Sequence, residues 1–101
     1  MPTLVVLYPT PTDVAAFDKR YQDEHVRLVK SHLGMAKFRA HPVLGAVGGA
    51  GGSPPYHMMV ELEFASATDM EKALQSTGGQ ATAAHAAEIS SGGPPVMLIV
   101  G

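Results

Sequence analysis

The sequence predicts an α+β fold: a four-stranded antiparallel sheet with its helices on one face. Three observations predict it. Thr3–Tyr8 and Val96–Val100 are short runs apolar on both faces, as buried strands are. Tyr56–Phe64 alternates, with Tyr56, Met58, Val60, Leu62 and Phe64 on one side and His57, Met59, Glu61 and Glu63 on the other. Segments of helical period separate these runs, giving the order β-α-β-β-α-β, whose natural packing is the ferredoxin-like arrangement.

Thr3–Tyr8 ends at Pro9 and Pro11. Thr12 is the candidate N-cap of the first helix, with Asp13 in the first turn, where the helix dipole favours an acid. This helix should run to about His32, with Gly34 at the C′ position. Met35–Val47 holds a second extended segment, with Lys37, Arg39 and His41 on one face and Ala36, Phe38 and Ala40 on the other. Pro42 marks an edge or a bend. Gly45–Pro55 is a loop by composition, without the glycine spacing of a dinucleotide-binding turn. Ser66 caps a helix over Ala67–Ser76, with Asp69 at its third position. Gly78–Gly79 should interrupt it before a short alanine-rich helix, Gln80–Ile89, that carries His85. Ser90–Pro95 is a turn-rich loop before the last strand.

A chain of 101 residues is expected to be a single domain, 1–101. Hydrophobic residues make up 46% and charged residues 16%, below the usual quarter, so an apolar surface patch is expected. Two helices cover one sheet face only, yet the first and last strands are apolar on both. The uncovered face therefore predicts a homodimer, two sheets meeting as a dimeric α/β barrel. The net charge of −2 and the lack of a basic stripe argue against a nucleic-acid partner. No apolar run reaches the length of a membrane span. Met1–Tyr8 lacks the basic start and cleavage site of a signal peptide, so a cytoplasmic location is expected. With no cysteine, disulfides, thiolate nucleophiles and iron–sulfur ligation are excluded.

The chemistry concentrates on the first helix. At about 100° per residue, Val14, Phe17, Tyr21, His25, Leu28 and His32 share one stripe. A phenol and two imidazoles on a core-facing stripe need partners, which suggests a polar pocket. His25 is the candidate proton-transfer group, Tyr21 a hydrogen-bond donor to a substrate oxygen, and His32 an orienting or protonating group. Such a set suits proton abstraction next to a carbonyl, isomerisation or decarboxylation. Tyr8 could line the cavity mouth or belong to the core. Arg39 has two readings, a cross-strand partner of a glutamate or a binder of an anionic substrate. His85 has no partner readable from the sequence. His25 and His32 lie seven residues apart, about 10 Å along a helix, too far to share one ion. With no His-x-x-x-His pair and no acidic cluster, no metal is expected.

The Leu7–Tyr8–Pro9 strand end, the pattern Phe17-x-x-x-Tyr21-x-x-x-His25 and Gly34 before the next strand resemble the EthD-like family. That family is named for a protein of ethyl tert-butyl ether degradation and belongs to the dimeric α/β-barrel superfamily. The resemblance implies a homodimer with a pocket for a small hydrophobic or aromatic ligand, lined by Tyr8, Phe17, Phe38 and Arg39 around the catalytic set. Similar folds serve cofactor-free monooxygenases, lactone isomerases, decarboxylases and cyclases. The methylmuconolactone isomerases resemble this chain most at the helix, with a tyrosine and two histidines spaced as Tyr21, His25 and His32. Their pocket cysteines have no counterpart here, and Phe38 stands where they carry a second tyrosine. Two functions follow as expectations. One is a cofactor-free enzyme, oxidoreductase, isomerase or lyase, acting on a small oxygenated compound. The other is a non-catalytic accessory protein that holds a metabolite for an oxygenase pathway.

Overall fold

The computed structural model describes residues 1–48 and 54–101. Residues 49–53, the middle of the expected Gly45–Pro55 loop, lie outside the described residues. The elements are β1 (Thr3–Pro9), α1 (Val14–Arg20), a π turn (Tyr21–His25), α2 (Val26–His32), β2 (Lys37–Pro42), β3 (Tyr56–Glu63), α3 (Ala67–Gln75), α4 (Thr77–Ile89) and β4 (Val96–Val100). The four strands are antiparallel in the order β2-β3-β1-β4, and the sheet is open rather than closed into a barrel. This is the ferredoxin-like α+β fold that the element order predicts. Among the described residues, no helix is long and apolar enough to cross a membrane.

Strand alternation decides which face is buried. Leu4, Val6 and Tyr8 of β1 join Met58, Val60 and Leu62 of β3 beneath Phe17, Tyr21, Val29, Leu33, Met70, Ala73, Ala86 and Ile89 of the helices. Phe64, just past β3, is fully buried and donates its N–H to the Pro2 carbonyl at 2.9 Å. The other face divides in two. Val5 and Leu7 lie opposite Leu98 and Val96, an apolar half. Lys37 and Arg39 lie opposite Glu63 and Glu61, a charged half. β2 is an edge strand, which is where Pro42 is tolerated.

Two boundaries differ from expectation and one holds. Asp13, not Thr12, is the N-cap: its Oδ1 accepts the Ala16 N–H at 3.0 Å, while the Thr12 N–H donates to Ser91 Oγ at 3.1 Å. Gly34 stands at C′ after the Leu33 C-cap, as expected, but without a positive φ; a Cβ there would stand 2.7 Å from the Lys30 carbonyl oxygen. Gly78 and Gly79 do not interrupt a helix but begin one. The break is at Ser76, which turns extended, donates its hydroxyl to the Ala73 carbonyl at 2.7 Å and accepts the Gly79 N–H at 3.0 Å.

The glycines at the start of α4 allow close packing. A Cβ on Gly79 would run into the Ala73 carbonyl, and one on Gly78 into the His32 ring. Glycine in a helix ordinarily gives way to alanine with a gain of about 1 kcal/mol. Gly79→Ala should reverse that sign and destabilise by about 1–3 kcal/mol. Gly45→Ala, with nothing within 4 Å of the new methyl, should stay within about 0.5 kcal/mol of wild type. Urea denaturation of the two variants checks the contrast.

Candidate functional site

The site begins with a helical irregularity. The Val26 N–H bonds to the Tyr21 carbonyl, an i→i+5 contact that widens the helix by one π turn. Phe17, Tyr21, His25, Val29 and Leu33 are all buried at strict four-residue spacing. At 100° per residue each such step overshoots a full turn by about 40°, which would carry Leu33 off the face of Phe17. The wider π turn takes up part of that drift and keeps the ladder on the sheet. Val29 and Leu33 therefore occupy the face expected for Leu28 and His32. The helix is not regular through to His32, and Val14 is 42% exposed.

Between sheet and helices lies a cavity of about 50 Å³. Leu4, Val6, Val60 and Leu62 form its floor, and Gly79, Ala83 and Ala86 of α4 form a wall of small groups. Its polar atoms belong to Tyr8, His25 and Thr82, and the Thr82 hydroxyl is committed to the Gly78 carbonyl at 2.8 Å.

His25 stands at the inner end of a chain of contacts. Its Nε2 faces the Tyr8 hydroxyl at 3.4 Å, and its Nδ1 meets His85 Nδ1 at 3.0 Å. His85 Nε2 is 3.0 Å from Glu24 Oε1. Glu24 takes Arg20 Nη2 at 3.1 Å, and Arg20 reaches Glu88 at 3.5 Å. The Arg20 and His85 hydrogen bonds hold the Glu24 carboxyl down at about 2, so near neutral pH it is an acceptor only. His85 Nε2 must then carry a proton. In a neutral His85, Nδ1 is the acceptor, and His25 Nδ1 is the donor. That leaves His25 Nε2 as a bare lone pair toward Tyr8 and the cavity. Burial first, and His85 beside it, pull His25 down to about 4, so its imidazole is neutral near pH 7. Burial likewise pushes both phenols, Tyr8 and Tyr21, well above their ordinary value.

The other expected site residues are distributed unevenly. Tyr21 is fully buried between Phe17 and His25, with ring centroids at 5.9 and 5.3 Å, and does not line the cavity. Its hydroxyl has no hydrogen-bond partner among the described residues. Phe17 is buried edge-on to Tyr8 at 5.1 Å, behind the cavity. His32 is not brought to the site: it packs beside Gly78 and lines a separate hollow with Met35, Asp69 and Lys72. Phe38 is half-buried at the edge of the core. Arg39 lies on the opposite face of the sheet, where Glu61 takes His41 at 2.9 Å rather than Arg39.

Two groups of residues go beyond the sequence reading. His85 and Glu24 complete the chain from His25. His57 is the extra residue of a β-bulge, since Tyr8 pairs with Met58 and Pro9 with Tyr56. The bulge turns His57 out of the Met59–Glu61–Glu63 face and onto α1, where its Nε2 meets Asp18 Oδ1 at 2.8 Å and its ring stands edge-on to Phe17.

Residues 9–92 match the EthD domain. The chain belongs to the EthD family. This EthD protein is 34% identical over 96 residues to an 11.0 kDa protein from the thcB–thcC intergenic region of Rhodococcus erythropolis, covering 94% of this chain and 89% of the relative. The crystal structure of an ethyl tert-butyl ether degradation family protein from Bacillus halodurans superposes with a TM-score of 0.88 at 22% identity, covering 100% and 97% of the two chains. A dimeric ferredoxin-like protein from Thermobifida fusca superposes at 0.68 and 13% identity, covering 99% and 89%. At these identities the two structures speak for the fold alone.

The buried His25 of this EthD protein has a pH signature. The unfolded chain carries an ordinary histidine near 6.5, so between 6.5 and about 4 it binds a proton that folded His25 refuses. This contribution to stability is fully present above 6.5 and is lost as pH falls toward 4, at most about 1.4 kcal/mol per pH unit. His25→Gln should flatten the fall in unfolding free energy across that window. Urea denaturation at stepped pH checks this, and equal slopes for the two proteins would contradict it.

Proposed function

We propose that this EthD protein is a homodimeric, cofactor-free enzyme that moves a proton on a small hydrophobic oxygenated compound, with His25 as the base. One observation carries the reading: a buried imidazole whose only partner at Nε2 among the described residues is a long 3.4 Å contact to the Tyr8 hydroxyl stands at a mostly apolar cavity. A base held neutral near pH 7 is ready to take a proton, and mostly apolar surroundings strengthen its interaction with the charge that develops on the substrate. The unpartnered Tyr21 hydroxyl, behind Tyr8, is the donor in reserve for a substrate oxygen once the pocket opens. The chemistry is isomerase- or lyase-type.

Cavity size limits the ligand. About 50 Å³ is well below the roughly 150 Å³ of a dry cavity that takes up benzene. A small aliphatic or carbonyl-bearing end fits the closed form, and an aromatic ring enters only if α4 moves outward. The same apolar lining favours a second reading, a carrier that holds a metabolite without converting it.

The split open face supports the homodimer, as does the dimeric Thermobifida fusca neighbour. Val5, Leu7, Val96, Leu98 and Val100 provide the apolar half, and the Lys37, Arg39, Glu61 and Glu63 strip can set the register. Sedimentation equilibrium at micromolar concentration should return twice the chain mass, and Leu98→Glu should return it to the monomer.

Thermal-shift screening over small carbonyl compounds, lactones and phenols provides the substrate. On that substrate His25→Ala should lower turnover by about 10²–10⁴ while leaving the dimer intact. Wild-type turnover by this variant would overturn the enzyme reading, and ligands that bind without ever being converted would favour the carrier.

A further inference from the structure

The base reading leaves the far side of His25 unexplained. A buried imidazole could satisfy its Nδ1 with any backbone carbonyl. Here Nδ1 meets a second imidazole at 3.0 Å, and that ring in turn meets an exposed carboxylate at 3.0 Å. The side-chain exposure rises outward, from His25 in the core to His85 at 13% and Glu24 at 47%. The two rings lie within 10° of parallel. Each imidazole can take a proton on one nitrogen and release one from the other, so the pair can carry a proton from the cavity to solvent.

We propose that His85 and Glu24 are the solvent end of a proton relay, and that the protonation of His85 decides which nitrogen of His25 faces the cavity. The inference rests on the reading of His25 as the base. In the forward step a substrate C–H bond breaks, its electron pair stays on the substrate as an enolate, and the proton bonds to His25 Nε2. The Nδ1 proton of His25 passes to His85 Nδ1, and the Nε2 proton of His85 passes to solvent water beside Glu24, whose carboxylate orients the ring. The reverse run returns a proton to the substrate, and no other reactant is needed. His85 is a positioning and relay residue; it does not line the cavity.

The relay is also a switch. A protonated His85 donates from both nitrogens, so His25 Nδ1 must become an acceptor. The His25 proton then moves to Nε2, and the lone pair facing Tyr8 is gone. The groups around the two rings are Tyr8 from β1, Tyr21 and Glu24 from the π turn, Arg20 from α1 and Glu88 from α4. Among these, Glu24 is the acidic group that touches His85, and it fixes the outward direction of the chain.

Imidazole ¹⁵N NMR on the whole protein, from about pH 9 to about pH 5, reads this without a substrate. In wild type, His25 should begin as the Nδ1–H form, and its Nε2 should become protonated in step with the protonation of His85. In His85→Gln, the amide oxygen can still accept from Nδ1, so His25 should keep the Nδ1–H form and lose the step. In His85→Phe, with no partner at Nδ1, the step should vanish and the fixed tautomer with it. If His25 does not respond as His85 titrates, or if His85→Gln keeps the step, the relay is wrong. That failure is separable from failure of the base reading, which is judged by His25→Ala turnover alone.

Discussion

The structure depends on holding one polar ring inside a thin apolar core. Burying a polar group without partners costs on the order of 1–7 kcal/mol, depending on the reference state. Each ordinary hydrogen bond returns only about 0.5–1.5 kcal/mol net. Every neighbour of His25 can be read against that balance. Tyr8 closes one nitrogen at long range, His85 closes the other at short range, and Glu24 and Arg20 anchor His85 at the surface. Loss of Tyr8 or His85 would leave a nitrogen of the buried His25 unmatched, whereas the outer links between Glu24 and Arg20 are exposed. The weak 3.4 Å contact to Tyr8 is the one place where a ligand atom could compete.

Two backbone features make the arrangement possible. The π turn keeps Tyr21, His25, Val29 and Leu33 on the sheet although their spacing does not suit a regular helix. The glycine and alanine face of α4 brings that helix close enough for His85 to reach His25 and for the cavity wall to stay thin. The first sets where the imidazole points and the second what it meets. The bulge at His57 works similarly on the outer side of Phe17, turning a strand residue onto a helix. These irregularities sit around the aromatic cluster.

The placement of these irregularities explains what could be read from the sequence. Strand alternation in Tyr56–Phe64, the apolar end runs and the Ser66 cap are local patterns, and the structure reproduces these elements, although β4 lies at the sheet edge and is largely exposed rather than buried. The burial of Phe17, Tyr21 and His25 is local too, because they precede the accumulated drift. His32 was misplaced because a π turn carries no periodic signature: one widened turn shifts every later residue on the helix. Asp13 is the cap because its Oδ1 accepts the Ala16 N–H, while the Thr12 N–H is held by Ser91, 79 residues away. His85 was opaque for the same kind of reason. Its partners lie 60 and 61 residues away, and an alanine-rich segment has no strong stripe to show which way a lone polar side chain points. The one available sign was Arg20–Glu24, an i,i+4 pair beside His25, which marks a charged cluster without naming its third member.

The central claim is that the protein buries a neutral imidazole with its lone pair turned to the cavity. Neutron diffraction from a deuterated crystal at neutral pH locates these protons directly. The account predicts a deuteron on His25 Nδ1 shared with His85, none on His25 Nε2, and the Tyr8 deuteron directed at that bare nitrogen. Deuterons on both nitrogens of His25, or one on Nε2 alone, would contradict it.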